Sequence, residues 1–200
     1  MSSIKLTADS GGGTFELKAP SSGSNARVLT VPDTASGTVL TTTNPKAGNI
    51  IQVVSVTKND AASISSNASF VDIPGFTATI TPSSASNKIL VLATFFTDGS
   101  TNAFTRLMRG STAISIGTGA SGNQLNVSSN TARAKFDNNE CMPASISILD
   151  SPSTTSATTY KLQGYTYISG TLYFNRSASM GDNNYSVFTS STMSLMEVAV

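Results

Sequence analysis

The chain is 200 residues long, 38% apolar and 12% charged, with a net charge of +1. That length accommodates one large domain or two small ones. A near-neutral chain is not held open by charge repulsion, and without a basic block nucleic-acid binding has no electrostatic footprint.

The polar residues are mostly neutral: Ser and Thr together number 60 of 200. Thr suits the half-buried face of a strand, and Ser, Gly and Asn suit turns, so the composition predicts an all-β protein. So little charge also fits a chain that hides much of its surface in an assembly. The start, MSSIKLTADSGG, lacks the apolar core of a secretory signal, and no run approaches transmembrane length, so membrane insertion is not expected. The single cysteine, Cys141, cannot form an intramolecular disulfide and reads as a small hydrophobe or a surface residue.

Residues 1–47 form the first region. Their apolar residues come in short bursts: Ile4 with Leu6, Phe15 with Leu17, Val28 with Leu29 and Val31, and Val39 with Leu40. Period-two alternation predicts strands, and residues 11–13, 21–25 and 33–37 predict turns between them. Each burst supplies only one or two apolar side chains per face. At about 1.5–3 kcal/mol per fully buried side chain, these do not offset the roughly 1–2 kcal/mol per residue that ordering the backbone costs. Copies of the chain that pool these strips around a three-fold axis would make up the deficit; a tail docked along the main domain is the alternative. On the first reading Leu6, Phe15, Leu17, Leu29, Val31 and Leu40 are oligomer-interface residues. The region is then an intertwined, β-prism-like attachment segment.

Residues 48–200 carry longer and more apolar strand candidates. Residues 50–57 (IIQVVSVT) come first, then 69–80 (SFVDIPGFTATI), with a bulge or kink expected at Pro74-Gly75. A turn over 82–87 leads to 88–97 (KILVLATFFT), the strongest apolar run and a predicted central strand. Residues 103–108 and 112–116 flank a hairpin turn at Arg109-Gly110-Ser111. Residues 126–128 and 132–136 are weaker strands, 144–149 alternates, and 150–157 is a turn. Residues 159–168 (TYKLQGYTYI) and 171–175 (TLYFN) read as one hairpin around Ser169-Gly170. Residues 186–188 are a short strand. Residues 191–200 close the chain as a strand central in a sheet or in an oligomer seam. Many short strands without helical periodicity predict an antiparallel jelly-roll sandwich over 48–200.

In the predicted hairpin Tyr160, Leu162, Gly164 and Thr166 share one strand face, and Lys161, Gln163, Tyr165 and Tyr167 the other. Tyr165 and Tyr167 are thereby placed on an outward face as further interface candidates, because Tyr is favoured where one end of a side chain is packed and the other wet.

The search for chemistry is short. His is absent, which excludes Ser-His-Asp and Cys-His arrangements and a Cys/His zinc site. Most carboxylates stand beside Gly, Asn, Ser or Pro, where turn duty is the default. A pair of carboxylates across a cleft would make a carbohydrate-active enzyme, but an enzyme is not the expectation, and no cofactor is expected. The oxygen-rich runs 137–140 (DNNE) and 182–184 (DNN) match no EF-hand spacing. They read as Asx turns, with a bound calcium as the alternative. Arg106 and Arg109 bracket Leu107-Met108 and are candidate contacts to an anionic or sugar ligand; the competing reading is a solvent-facing pair or an ion pair with Asp98.

The run 4–40 (IKLTADSGGGTFELKAPSSGSNARVLTVPDTASGTVL) resembles a segment of fibre and other virion proteins of tailed bacteriophages, especially of marine bacteria. KAGNIIQVVSVTK, FVDIPGFTATITPSSASNKILV, FTRLMRGSTAI, TLYFNRS and SLMEV are similar to landmarks of the same group, spread over nearly the whole chain. The resemblance implies a virion protein made in the host cytoplasm. It also implies a homotrimer with its N-terminal region towards other virion proteins, and a C-terminal jelly roll similar to trimeric complement and tumour-necrosis-factor domains. A tail-fibre-like or head-fibre component would bind a host-surface glycan or protein through outer loops at 98–102, 117–130 and 178–184. The alternative is a decoration or cement protein that stabilises the capsid.

Overall fold

The computed structural model describes residues 3–7, 14–18, 45–66, 68–99, 102–131, 141–167, 170–184 and 186–200. The chain divides into two compact units, residues 1–39 and 40–200. In the first unit β1 (Ser3–Thr7) pairs antiparallel with β2 (Thr14–Lys18), with Ile4 opposite Leu17 and Leu6 opposite Phe15. The first two apolar bursts are thus the arms of one hairpin, in the register their alternation requires. Leu29, Val31 and Leu40 lie outside the described residues.

The second unit holds two antiparallel sheets. The first contains β3 (Ile50–Lys58), β4 (Ala62–Ile64), β6 (Lys88–Gly99), β10 (Met142–Asp150), β12 (Leu172–Phe174) and β13 (Ser191–Val198). β6 pairs along one edge with β10 and along the other with β13 and then β12. β13 pairs in turn with β3, and β12 with β4. The sheet is therefore four strands across, in the order β10, β6, β13 with β12, and β3 with β4. The second sheet contains β5 (Val71–Ile80), β7 (Ala103–Arg109), β8 (Thr112–Ile114), β9 (Ser129–Thr131) and β11 (Thr158–Thr166). β11 lies between β5 and β7, and the far edge of β7 is shared by β8 and β9. The chain crosses repeatedly between the sheets, and the resulting strand order is that of an antiparallel jelly-roll sandwich. No helix occurs among the described residues.

The core follows from period-two alternation. β6 sends Ile89, Val91, Ala93 and Phe95 inward, β5 sends Ile73, Phe76, Ala78 and Ile80, and β11 sends Tyr160 and Leu162. Phe174 packs between Phe76 and Phe95, with ring centroids 5.1 and 6.3 Å away. The Pro74-Gly75 irregularity is a real bulge. Lys161 faces Thr77 while Gln163 faces Asp72, so one residue of β11 spans four of β5, and Gly75 takes the left-handed φ of 72° that such a kink favours.

Two expectations are corrected. Residues 159–168 and 171–175 do not form a hairpin: β11 and β12 belong to opposite sheets, and Leu172 packs across the sandwich onto Gly164. Two apolar runs joined by a Ser-Gly pair look alike whether the chain reverses within a sheet or steps across it. Residues 126–128 are not a strand; the pairing to β7 starts at Ser129. Residues 132–136 lie outside the described residues. β4 was not anticipated, being three residues long. The break that separates it from β3 is held by buried Asn175, whose amide donates to the carbonyls of Lys58 (2.7 Å) and Asp60 (3.2 Å).

Candidate functional site

Two surfaces of the second unit stand out, one on each sheet. The outward face of the β10–β6–β13–β3 sheet is built by the residues between the core positions. In one cross-strand row Val53 stands opposite Met196, Met196 opposite Leu90, and Leu90 opposite Leu149. This row is apolar across all four strands; Val53 is 58% and Leu149 49% exposed. Ile50 and Val198 pair beside it in a row that ends on Lys88, opposite Val198, and Leu92 lies one row further along β6. The next rows are mostly Ser and Thr: Ser55, Ser194 and Ser147 around Leu92, then Thr57, Thr192, Thr94 and Ser145. The row of Val53 and these two rows contain no charged side chain. A contiguous apolar stripe backed by small hydroxyls, without charge, is unusual for a surface that stays in water.

The polar interior near this sheet is fixed rather than reactive. Glu197 is fully buried on β13. Its carboxylate accepts from the Ser83 amide (2.6 Å) and hydroxyl (2.7 Å), Asn87 Nδ2 (2.7 Å) and Gln52 Nε2 (3.1 Å). Burial alone would raise its pKa, but the hydrogen bonds from Asn87, Ser83 and Gln52 together outweigh it and hold the carboxyl below its ordinary value. The loop predicted over 82–87 is thereby pinned to the last strand.

The second surface is a groove of about 670 Å³ at one end of the β5–β11–β7 sheet. Its floor comes from Phe104 on β7 and Tyr165 near the end of β11, Tyr167 just beyond that strand stands at the rim, and one wall is the 122–125 stretch of the β8–β9 connection. That connection is closed by its own bonds. The Gly117 amide donates to the Val127 carbonyl (3.1 Å), Ala120 N to Asn126 Oδ1 (3.3 Å) and Ser121 N to Gln124 Oε1 (3.1 Å). Gly119 and Gly122 supply the positive φ values, 95° and 60°, that the tight path demands. Tyr165 is wedged between Phe70 and Phe104, with centroids at 5.1 and 5.8 Å, and the Tyr167 amide donates to the Asn102 carbonyl (3.0 Å).

The structure separates the candidate residues. Tyr165 and Tyr167 share the groove, Tyr165 buried as its floor and Tyr167 exposed at its rim. Arg106 does not line it: its guanidinium lies 3.8 Å from the centre of the Phe70 ring, and its Nε donates to Gln163 Oε1 (2.8 Å). Burial lowers the Arg106 pKa. Arg109 pairs with Asp150, not Asp98; its Nη1 lies 2.8 and 2.9 Å from the two carboxylate oxygens, to which the buried Tyr160 hydroxyl also donates (2.7 Å). Burial, then the bond to Asp150, pushes the Tyr160 hydroxyl pKa well up. Leu6, Phe15 and Leu17 are described only by their backbone register.

In the 182–184 run, Asn183 Oδ1 accepts from the Ser186 amide (2.9 Å) and hydroxyl (2.9 Å), a bond three residues along the chain. The 137–140 run lies outside the described residues. Cys141 is half-buried, and burial raises its thiol pKa.

Sequence reasoning missed both Asn102 and the 122–125 wall as partners of the tyrosines. Their juxtaposition depends on β7 and β11 pairing, with Phe104 opposite Tyr165. It also missed the outer stripe of the first sheet, although the alternation Leu90, Leu92 in a strand whose other face is also apolar could have revealed it.

No protein-family model and no curated protein matches the chain. Among solved structures, the chain is similar to the structure of infectious bursal disease virus Gx strain, at 18% identity over 98% of this chain and 45% of that chain, with a TM-score of 0.31. The Gt strain structure gives 16% identity, the same coverages and a TM-score of 0.29. The chain thus spans less than half the length of either, and superpositions of this quality support no conclusion about its role.

Proposed function

We propose that this chain is a non-enzymatic structural component of a tailed-phage virion, a homotrimeric tail-fibre-like or head-fibre protein that presents loops to the host surface. The observation that carries the reading is the uncharged stripe Val53–Met196–Leu90–Leu149 on the outer face of a sandwich that already has its own core. Such a face is stabilised by burial in an assembly, and the sequence resemblance favours three copies around one axis, with the stripe of each copy turned towards its neighbours. The N-terminal hairpin, with Leu6 opposite Phe15, is the segment that would pool its strips with those of neighbouring copies and meet other virion proteins.

Two measurements test this. Sedimentation equilibrium of the purified chain should give three times the monomer mass; a monomer at micromolar concentration would defeat the reading. Electron microscopy of labelled particles should place the chain on a tail or on a head-mounted fibre. A regular array over the whole shell would identify a capsid decoration protein instead.

A further inference from the structure

The groove beside Tyr165 and Tyr167 has a lining of one chemical kind. Among the described residues, its polar groups are the amides of Asn102, Asn123 and Gln124 and the hydroxyls of Tyr165 and Tyr167, its apolar surface is aromatic or aliphatic, and no charged side chain lines it. Among the described residues, no side chain or backbone group engages the Asn102 or Asn123 amide. Each offers two donors and an acceptor to whatever enters. An anion would need a Lys or Arg, and among the described residues the nearby Arg106 is already spent on Phe70 and Gln163. A cation would need carboxylates. A purely apolar guest would strip water from the amides without replacing its hydrogen bonds. The guest that satisfies both halves of the lining has C–H faces to lay on an aromatic ring and many neutral hydroxyls to exchange bonds with amides.

From this we infer that the groove is a binding site for a neutral saccharide, with Tyr167 as the stacking platform and Asn102 and Asn123 as the hydroxyl readers. The site is preformed. Tyr165 is locked by Phe70 and Phe104, and the 122–125 wall is closed by its own hydrogen bonds. The groove is open, so it takes a chain end or an internal run of sugars rather than enclosing one ring, and each site binds weakly. The inference deepens the attachment reading above and rests on it for its biological meaning; three copies would convert weak sites into useful avidity.

The test uses the full chain on an array of neutral hexose and N-acetylhexosamine oligosaccharides, with sulfated and sialylated oligosaccharides as the anionic arm. The expected result is binding to members of the neutral set, about tenfold weaker in Tyr167→Ala and in Asn123→Ala, near wild type in Tyr167→Phe, with unchanged thermal unfolding in all three. Binding confined to the anionic arm, or neutral binding indifferent to Tyr167→Ala, overturns the inference. A parallel measurement of adsorption to host cells keeps the two readings apart. Adsorption that survives Tyr167→Ala overturns the saccharide site and leaves attachment standing. Neutral saccharide binding without adsorption upholds the site and removes the attachment role.

Discussion

Leu172 occupies the space that a side chain on Gly164 would need. A Cβ on Gly164 would come within 2.5 Å of Leu172 Cδ2 and 3.3 Å of Ile64 Cδ1. The glycine sits in the middle of β11 with an ordinary backbone, so its role there is space: β4 and β12 of the opposite sheet close onto it. Gly164→Ala should destabilise the second unit by about 1–3 kcal/mol, the usual range for overpacking. Chemical denaturation measures this, and adding Leu172→Ala should recover part of the loss. Fully additive effects in the double variant would show that the two residues do not compete for one space.

Asp150 joins Arg109 and Tyr160 behind β10. Asp150→Ala leaves a buried hydroxyl and a partly exposed guanidinium without their acceptor, and should cost about 1–3 kcal/mol. By contrast, the exposed pair Lys161–Asp72, 2.6 Å apart, should lose no more than about 1 kcal/mol on Lys161→Ala. Equal losses at the two sites would contradict the assignment of Asp150 to the interior.

Glu197 gives a pH dependence with a definite sign. Its folded pKa lies below the ordinary value of 4.5, so as pH falls the unfolded chain takes up the proton first. The stabilisation is present above about pH 4.5 and is lost as pH drops through the lowered folded value. Glu197→Gln should be less stable than wild type at pH 6, and the gap in melting temperature should narrow towards pH 3. Asp72, held low by its bonds from Lys161 and Gln163, titrates in both proteins and cancels. A gap that stays constant with pH would exclude the charge of Glu197 as the cause.

Val53 and Leu149 stand on the two edge strands of the first sheet and end the apolar row. Val53→Asp with Leu149→Asp should leave the sandwich folded, because neither side chain enters the core, while shifting sedimentation from trimer towards monomer. Unchanged assembly would move the interface off this face.

The sequence by itself determined the secondary-structure class, the strands with strong alternation and the Pro74-Gly75 bulge. Those properties are local: period-two alternation and the restricted backbone of Pro and Gly act within a few residues. Parity along β11 set Tyr165 on the face opposite Leu162, where the structure buries it between Phe70 and Phe104. Only the tertiary structure decided that β11 and β12 lie in opposite sheets, that Arg109 meets Asp150 rather than Asp98, and that the 122–125 stretch comes to rest beside the tyrosines. Those outcomes depend on which strand edges pair across long sequence separations, and pairing is chosen by the fit of whole faces in the core, a choice no single segment carries.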